Sequence, residues 1–299
     1  MNLYFFGSAI NISALYMTAG LGAAISIKSG NLNLGGEGQI YIGGFVCAIV
    51  LQTFQSAPVA LTLPLSLLLA IIASAAIACL CAFFKLNRNS DFLFTSFISS
   101  AAIIPVIDGL IAGPFRSRSD NLLSTPFIPD SARFKAFVPR SPLTIMIAIT
   151  IAFCIFFFFA INRTAYGRKL TIYGTSPLLA EYAGYNEKKL FYSSALISGG
   201  MHGLCGALAV LGVYFTCHSG FYQGIGWNSL SAAMIANSNP LLLIPSSLFM
   251  GFITTYANKY AMYANFTFDV SGLIQAAFLF IISFPLYTKQ NFIKREAKR

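Results

Sequence analysis

Long apolar runs separated by short polar stretches fill the chain. A helix needs roughly 20 mostly apolar residues to cross a bilayer. Leu3–Ile27 is the first run of that length, followed by a break rich in glycine and amides and then a shorter run, Ile40–Phe54. Val59–Phe84 is long and closes on Lys85 and Arg88, and Phe92–Ala112 follows with Asp108 near its far end. Gly113–Ser141 is rich in Pro, Ser and Arg and reads as an ordered surface loop outside the membrane. Leu143–Ile161 crosses back, and a polar segment, Thr164–Lys189, comes next.

From Leu190 to Asn258 there is no Asp, Glu, Lys or Arg. That stretch must hold more than one span, divided by polar inserts near Thr216–Gly226 and at Asn237–Pro240. Pro240 disfavours helix at Asn239, so Ile225–Ile235 reads as a half-length helix that stops there. Leu241–Asn258 and Val270–Tyr287 are the last spans, and a basic tail, Lys289–Arg299, ends the chain. The pattern predicts an all-α, polytopic membrane protein of about 8–9 transmembrane helices, some short and broken. Residues 1–288 form one membrane domain, with an outer loop at 113–141 and a cytoplasmic loop at 164–189; residues 289–299 form the tail.

Composition agrees: hydrophobic residues make up 57% and charged residues 9%, against the roughly 25% charged of a soluble domain. The N-terminal Met1–Phe6 lacks the basic region of a cleaved signal peptide, so the first run is read as a retained span. The net charge of +10 sits in short loops and at the tail, which points to cytoplasmic loops rather than nucleic acid. Twelve basic residues fall on the Lys85, Arg163–Lys189 and tail side, and five fall in the 113–141 loop. That bias places the C-terminus in the cytoplasm.

Little classical chemistry is present. There is no G-x-x-x-x-G-K-[ST] phosphate loop, no nucleophilic triad and no carboxylate pair. The six cysteines form no metal-type spacing and read as small buried hydrophobes. His202 reads as a hydrogen-bonded interior residue. Glu37 and Asp108 are the two ionisable groups placed to serve an ion-coupled carrier, the alternative class.

Four local designs stand out. The first is Gly30–Gln39, a polar irregular stretch between spans. Such backbone survives at membrane depth only where it is buried in protein or lines a wet cavity; otherwise it is a turn at the surface. The second is Thr175–Gly184, where Ser176 caps a helix starting at Pro177 and Gly184 ends it. This predicts a two-turn helix, Pro177–Ala183, presenting Leu178, Leu179, Glu181 and Tyr182. Either a peripheral subunit grips it or it is a plain connector. The third is the recurrence of Gly199, Gly203 and Ala207, whose interval lets helices approach closely. Gly220–Asn228 echoes the first break, and interrupted segments in corresponding halves point to a transport site.

Gly30-Asn-Leu-Asn-Leu-Gly-Gly-Glu-Gly-Gln39 resembles a signature of ABC importer permeases of the branched-chain amino acid, ribose and nucleoside type. Thr164-Ala-Tyr-Gly-Arg168, Tyr173-Gly-Thr-Ser-Pro177 and Glu181-Tyr-Ala-Gly184 resemble that family's cytoplasmic coupling segment. Ser198-Gly-Gly200, Gly203-Leu-Cys-Gly-Ala207, Gly224-Ile-Gly-Trp227 and Asn239-Pro240 continue the likeness in order, over roughly Leu15–Ile282. The Glu-Gly-Gln form is similar to nucleoside and simple-sugar permeases, a subgroup also associated with riboflavin. Arg168-Lys169-Leu-Thr-Ile172 and Met234-Ile-Ala-Asn237 depart from the family pattern, the second near the expected path.

The resemblance implies a subunit of the bacterial inner membrane that imports a small polar solute and is not itself an enzyme. Its implied partners are a second permease, cytoplasmic ATPases that carry the ATP, and a substrate-binding lipoprotein outside. No cofactor is expected on this chain. The ATPases would grip Thr175, Pro177, Leu178, Leu179, Glu181, Tyr182 and Gly184, while Asn31, Asn33, Glu37, Gln39 and Asn228 are the candidates for the path. Glu37 either binds solute or caps glycine-rich backbone, the second role being preferred.

Overall fold

The computed structural model describes residues 3–118, 121–264, 272–274, 276–277 and 280–281. Most of the expected last span, Val270–Tyr287, and all of the tail Lys289–Arg299 lie outside the described residues. Among the described residues the chain is helical and forms no strand. The helices in order are α1 (Leu3–Lys28), α2 (Gly36–Thr53), α3 (Val59–Arg88), α4 (Phe92–Ala112) and α5 (Met146–Arg163). After them come α6 (Ala165–Thr175), α7 (Pro177–Tyr182), α8 (Glu187–Ala209), α9 (Ile225–Ile235) and α10 (Leu243–Tyr263). Five of these, α1, α3, α4, α5 and α8 with its extension to Tyr214, are long and apolar enough to cross a membrane. This is an all-α polytopic membrane protein, in line with the eight to nine crossings expected.

Position in the bundle separates helices that composition alone cannot. The most apolar stretches of α1 and α8 are each 83% buried, whereas those of α3, α4 and α5 are 28%, 22% and 22% buried. A helix that is apolar all round is either a core helix or one that faces lipid. α1 and α8 are the first kind, whereas α3, α4 and α5 leave most of their apolar stretches on the outside of the bundle.

Glycines set the spacing at the centre. A Cβ on Gly206 of α8 would lie 1.9 Å from the Ile40 carbonyl oxygen, and one on Gly43 of α2 would lie 2.4 Å from that of Gly203. On the α3 side, a Cβ at Gly203 would meet Ser74 Oγ at 2.4 Å, and one at Gly199 would meet the Ala78 Cβ at 2.6 Å. Ala207 is fully buried in the same core. α8 therefore lies in backbone contact with α2 on one side and α3 on the other, the geometry that small residues permit in membranes.

The segment 164–189 is not loop throughout. Thr164 accepts a hydrogen bond from the Gly167 amide at 3.2 Å and starts α6, which buries Gly167, Leu170 and Tyr173. The burial interval of three was the readable signal. Gly174 of α6 abuts the end of α1, where a Cβ would fall 1.9 Å from the Lys28 carbonyl oxygen.

Candidate functional site: two broken segments that meet

The first break runs from Ser29 to Gly35; backbone bonds from Ser29, Gly30 and Asn31 hold its start, and side chains hold the rest. Ser26 Oγ donates to the Asn31 carbonyl and accepts from the Asn33 amide at 2.6 Å. Asn31 Nδ2 donates to the Ser29 carbonyl at 2.8 Å. Asn33 Oδ1 accepts from the Gly35 amide at 2.9 Å, while its Nδ2 donates to Gln39 Oε1 and Ser198 Oγ, each at 3.0 Å. Gln39 Oε1 also lies 2.8 Å from His202 Nδ1. Asn33, Gln39, Ser198 and His202 are all buried. Buried polar groups with this degree of mutual pairing fix one arrangement.

The glycines of the motif each face a different neighbour. Amides just before and within the first turn of α2 donate to hydroxyls on α4. Leu34 N–H reaches Ser96 Oγ at 3.1 Å, and Gly38 N–H reaches Ser100 Oγ at 2.7 Å. A Cβ on Gly38 would lie 2.7 Å from the Ser100 Cα, so only glycine allows that approach. Gly36 faces the Cα of Gly226 in α9 at 3.4 Å from where its Cβ would be.

The second break arrives from the other end of the bundle. α8 finishes in one π-helical turn, Val210–Tyr214, and Phe215 takes a left-handed conformation with φ of 59°. The loop after α4 is laid along this strand-like segment. The Thr125 amide donates to the Cys217 carbonyl, the Ile128 amide to the Phe215 carbonyl and the Ser219 amide to the Leu123 carbonyl, each at 2.9 Å. The 113–141 loop thus satisfies backbone that no helix satisfies. Beyond it, Phe221 packs over Gly44, and Gly224 with φ of 77° turns the chain into α9.

The start of α9 meets the start of α2. Glu37 Oε1 accepts from the Trp227 amide at 3.2 Å. A carboxylate at a helix N-terminus is favourably placed, because that end carries unpaired N–H groups and partial positive charge. Glu37 therefore caps glycine-rich backbone, but the backbone of the other break. Beside it, Ala23, Asn33, His202 and Trp227 line a small cavity of about 10 Å³, enough for about one water. Asn228 is buried, and its Oδ1 has no hydrogen-bond partner among the described residues.

Asp108 belongs to the same assembly although it lies on α4. Its Oδ1 accepts from the Tyr41 hydroxyl at 2.6 Å and from Ser219 Oγ at 2.7 Å. Tyr222 stacks against Tyr41 with ring centroids 4.5 Å apart.

Of the path candidates, Asn33, Gln39, Glu37 and Asn228 are brought together around the meeting point. Asn31 stays apart, at the α6 end, bonded within its own turn. The coupling candidates form one exposed knob. Ser176 Oγ accepts from the Leu179 amide at 3.3 Å and begins α7, which ends at Tyr182, one residue before the expected Ala183. Leu178, Leu179 and Tyr182 are 62%, 56% and 82% exposed. Thr175 ends α6, and Gly184 turns the chain away with φ of 71°.

The family model described as "Branched-chain amino acid transport system / permease component" matches residues 5–283. The chain belongs to this family. Among its relatives, the probable riboflavin import permease RfuC of Treponema pallidum is 30% identical, covering 96% of this chain and 76% of its own length. The guanosine ABC transporter permease NupP of Bacillus subtilis is 23% identical over 83% of this chain and 72% of its own. The glucose ABC transporter permease TsgB13 of Haloferax volcanii is 22% identical over 91% of this chain and 74% of its own. No solved structure matches the chain. Sequence reasoning pointed to both breaks and to Glu37. It did not join Asp108 to the second break, because the hydrogen-bond partners lie 67 and 111 residues away.

Proposed function

We propose that this permease moves a small polar solute with a hydroxylated side chain or ring inward, in an ATP-driven importer, and that the solute is riboflavin or a nucleoside. The observation that carries the reading is the 30% identity, over nearly the whole chain, to a probable riboflavin import permease. The guanosine and glucose permeases among its relatives keep the solute class polar and rich in hydroxyl groups. In this reading the α6–α7 end is cytoplasmic, as the excess of basic residues there supports, and the C-terminus lies on the same side. ATPase subunits grip α7, a second permease completes the path, and a lipoprotein delivers solute at the 113–141 end. The solute passes the polar groups gathered where α2 and α9 begin, with Asn31, Asn33, Glu37, Gln39 and Asn228 as the lining on this chain.

The test is reconstitution with the partner permease, ATPase and binding protein in proteoliposomes. Uptake of labelled riboflavin or guanosine should require ATP hydrolysis. Uptake that ignores ATP but collapses with an ion gradient would overturn the reading. Within the same assay, Leu178→Asp combined with Glu181→Arg should lower ATP-driven uptake about tenfold or more, since anchor residues dominate such contacts. Abundance in the membrane should stay level, because these side chains point away from the bundle.

A further inference from the structure

We infer that Asp108 is a solute-contact residue, receiving a pair of neighbouring hydroxyl groups such as those of a ribityl chain or a ribose. The inference rests on the permease reading and adds a residue and a ligand group to it.

Asp108 lies inside α4, four residues before the helix ends at Ala112. An ionised carboxylate at membrane depth is costly unless it meets water, a cation or a cargo. No cation among the described residues pairs with it. Its hydrogen bonds from the described residues, those of Tyr41 and Ser219, both end on Oδ1. Among the described residues Oδ2 has no protein donor, and the residue is half-buried. A carboxylate oxygen accepts two hydrogen bonds and is suited to a pair of hydroxyls.

The surroundings suit the ring that would accompany those hydroxyls. Tyr222, half-buried, lies against Tyr41. Aromatic faces stack on planar heterocycles at little conformational cost. The segment carrying Ser219 and Tyr222 is irregular backbone between spans, which is tolerated only where it is buried in protein or beside water. Three elements, α2, α4 and the second break, thus converge on one half-buried carboxylate. If Asp108 only tied the second break to α4, one oxygen would suffice, and an amide would serve as well as a carboxylate.

That difference supplies the experiment. Asp108→Asn keeps an Oδ1 that accepts from Tyr41 and Ser219 but replaces the free oxygen with a donor. Uptake into proteoliposomes holding the complete transporter is compared for riboflavin against lumichrome, which lacks the ribityl chain. A parallel arm compares guanosine with 2′,3′-dideoxyguanosine, so that the two sources of hydroxyls are separated. The wild-type transporter should favour the hydroxylated solute of one pair. Asp108→Asn should cut uptake of that solute about tenfold, the effect of one charge-assisted contact, and leave its stripped analogue within about twofold. Ser219→Ala, which removes a donor but not the carboxylate, should retain the preference.

An equal fall for both members of the pair, or unchanged uptake of both, would overturn the inference while leaving the permease reading intact. Failure of the wild-type transporter to take up any of the four solutes with ATP would overturn the reading of the solute, and the inference with it. Detergent size-exclusion profiles matched between variants show that differences arise in transport and not in folding.

Discussion

The two interrupted segments resemble each other in composition and differ in how their polar groups are satisfied. In the first, from Ser29 to Gly35, the donors and acceptors of Ser26, Asn33, Gln39, Ser198 and His202 close on one another away from solvent. In the second, from Phe215 to Gly224, the outer part is paired to the 121–128 backbone, while Ser219, Tyr222 and Gln223 keep access to the outside. The first is a scaffold and the second is a surface. Backbone outside a helix near the membrane needs protein or water around it; here the first break is paired internally, and the second is paired to the outer loop with some residues exposed.

The contrast can be broken hardest at its base. Gly206→Leu would force a side chain into the Ile40 carbonyl oxygen, and backbone on a packed helix cannot yield as a side chain does. A loss of about 3 kcal/mol or more is expected from such overpacking, seen as disappearance of the monodisperse peak in detergent. Normal yield would show that α2 and α8 are not in backbone contact.

Asn33→Ala comes next. It strips partners from Gln39, Ser198 and the Gly35 amide together, and each buried group left unpaired costs about 1–3 kcal/mol. Thermal unfolding followed by size exclusion should shift down by several degrees. If the shift matches that of an exposed control, the first break is not a scaffold.

Glu37→Gln should be milder. The amide oxygen still accepts from the Trp227 N–H, so only the favourable interaction of charge with the α9 terminus is lost, about 0.3–1 kcal/mol. Glu37→Ala removes the acceptor as well and should cost more; equal effects of the two would deny the cap. Smallest of all, Gln223→Ala in the open break should change stability by less than about 0.5 kcal/mol, because its side chain is exposed. A large fall there would erase the distinction between the two segments.

Much of the molecule was legible in the order of residues alone. Apolar runs marked α1, α3, α4, α5 and α9 to within a few residues, since the bilayer demands length and low charge of any helix that crosses it. Ser176, Pro177 and Gly184 foretold α7, because capping is local chemistry. α6 was missed as a helix although Gly167, Leu170 and Tyr173 carried its period, for its composition is that of a loop. What the sequence could not disclose was which residues from distant spans would share a site. Nothing local says that α1 and α8 are central while α3, α4 and α5 face outward, since all five are apolar on every side. Nothing local says that Glu37 would cap Trp227, 190 residues on. Nor does it say that Asp108 would receive hydroxyls from Tyr41 and Ser219. Those pairings depend on close approach at Gly36, Gly43, Gly206 and Gly226, where a missing Cβ lets backbones meet. The chain by itself determined the spans, their breaks and their caps, while only the packed bundle decided which break closed its polar groups on one another and which kept some of them exposed.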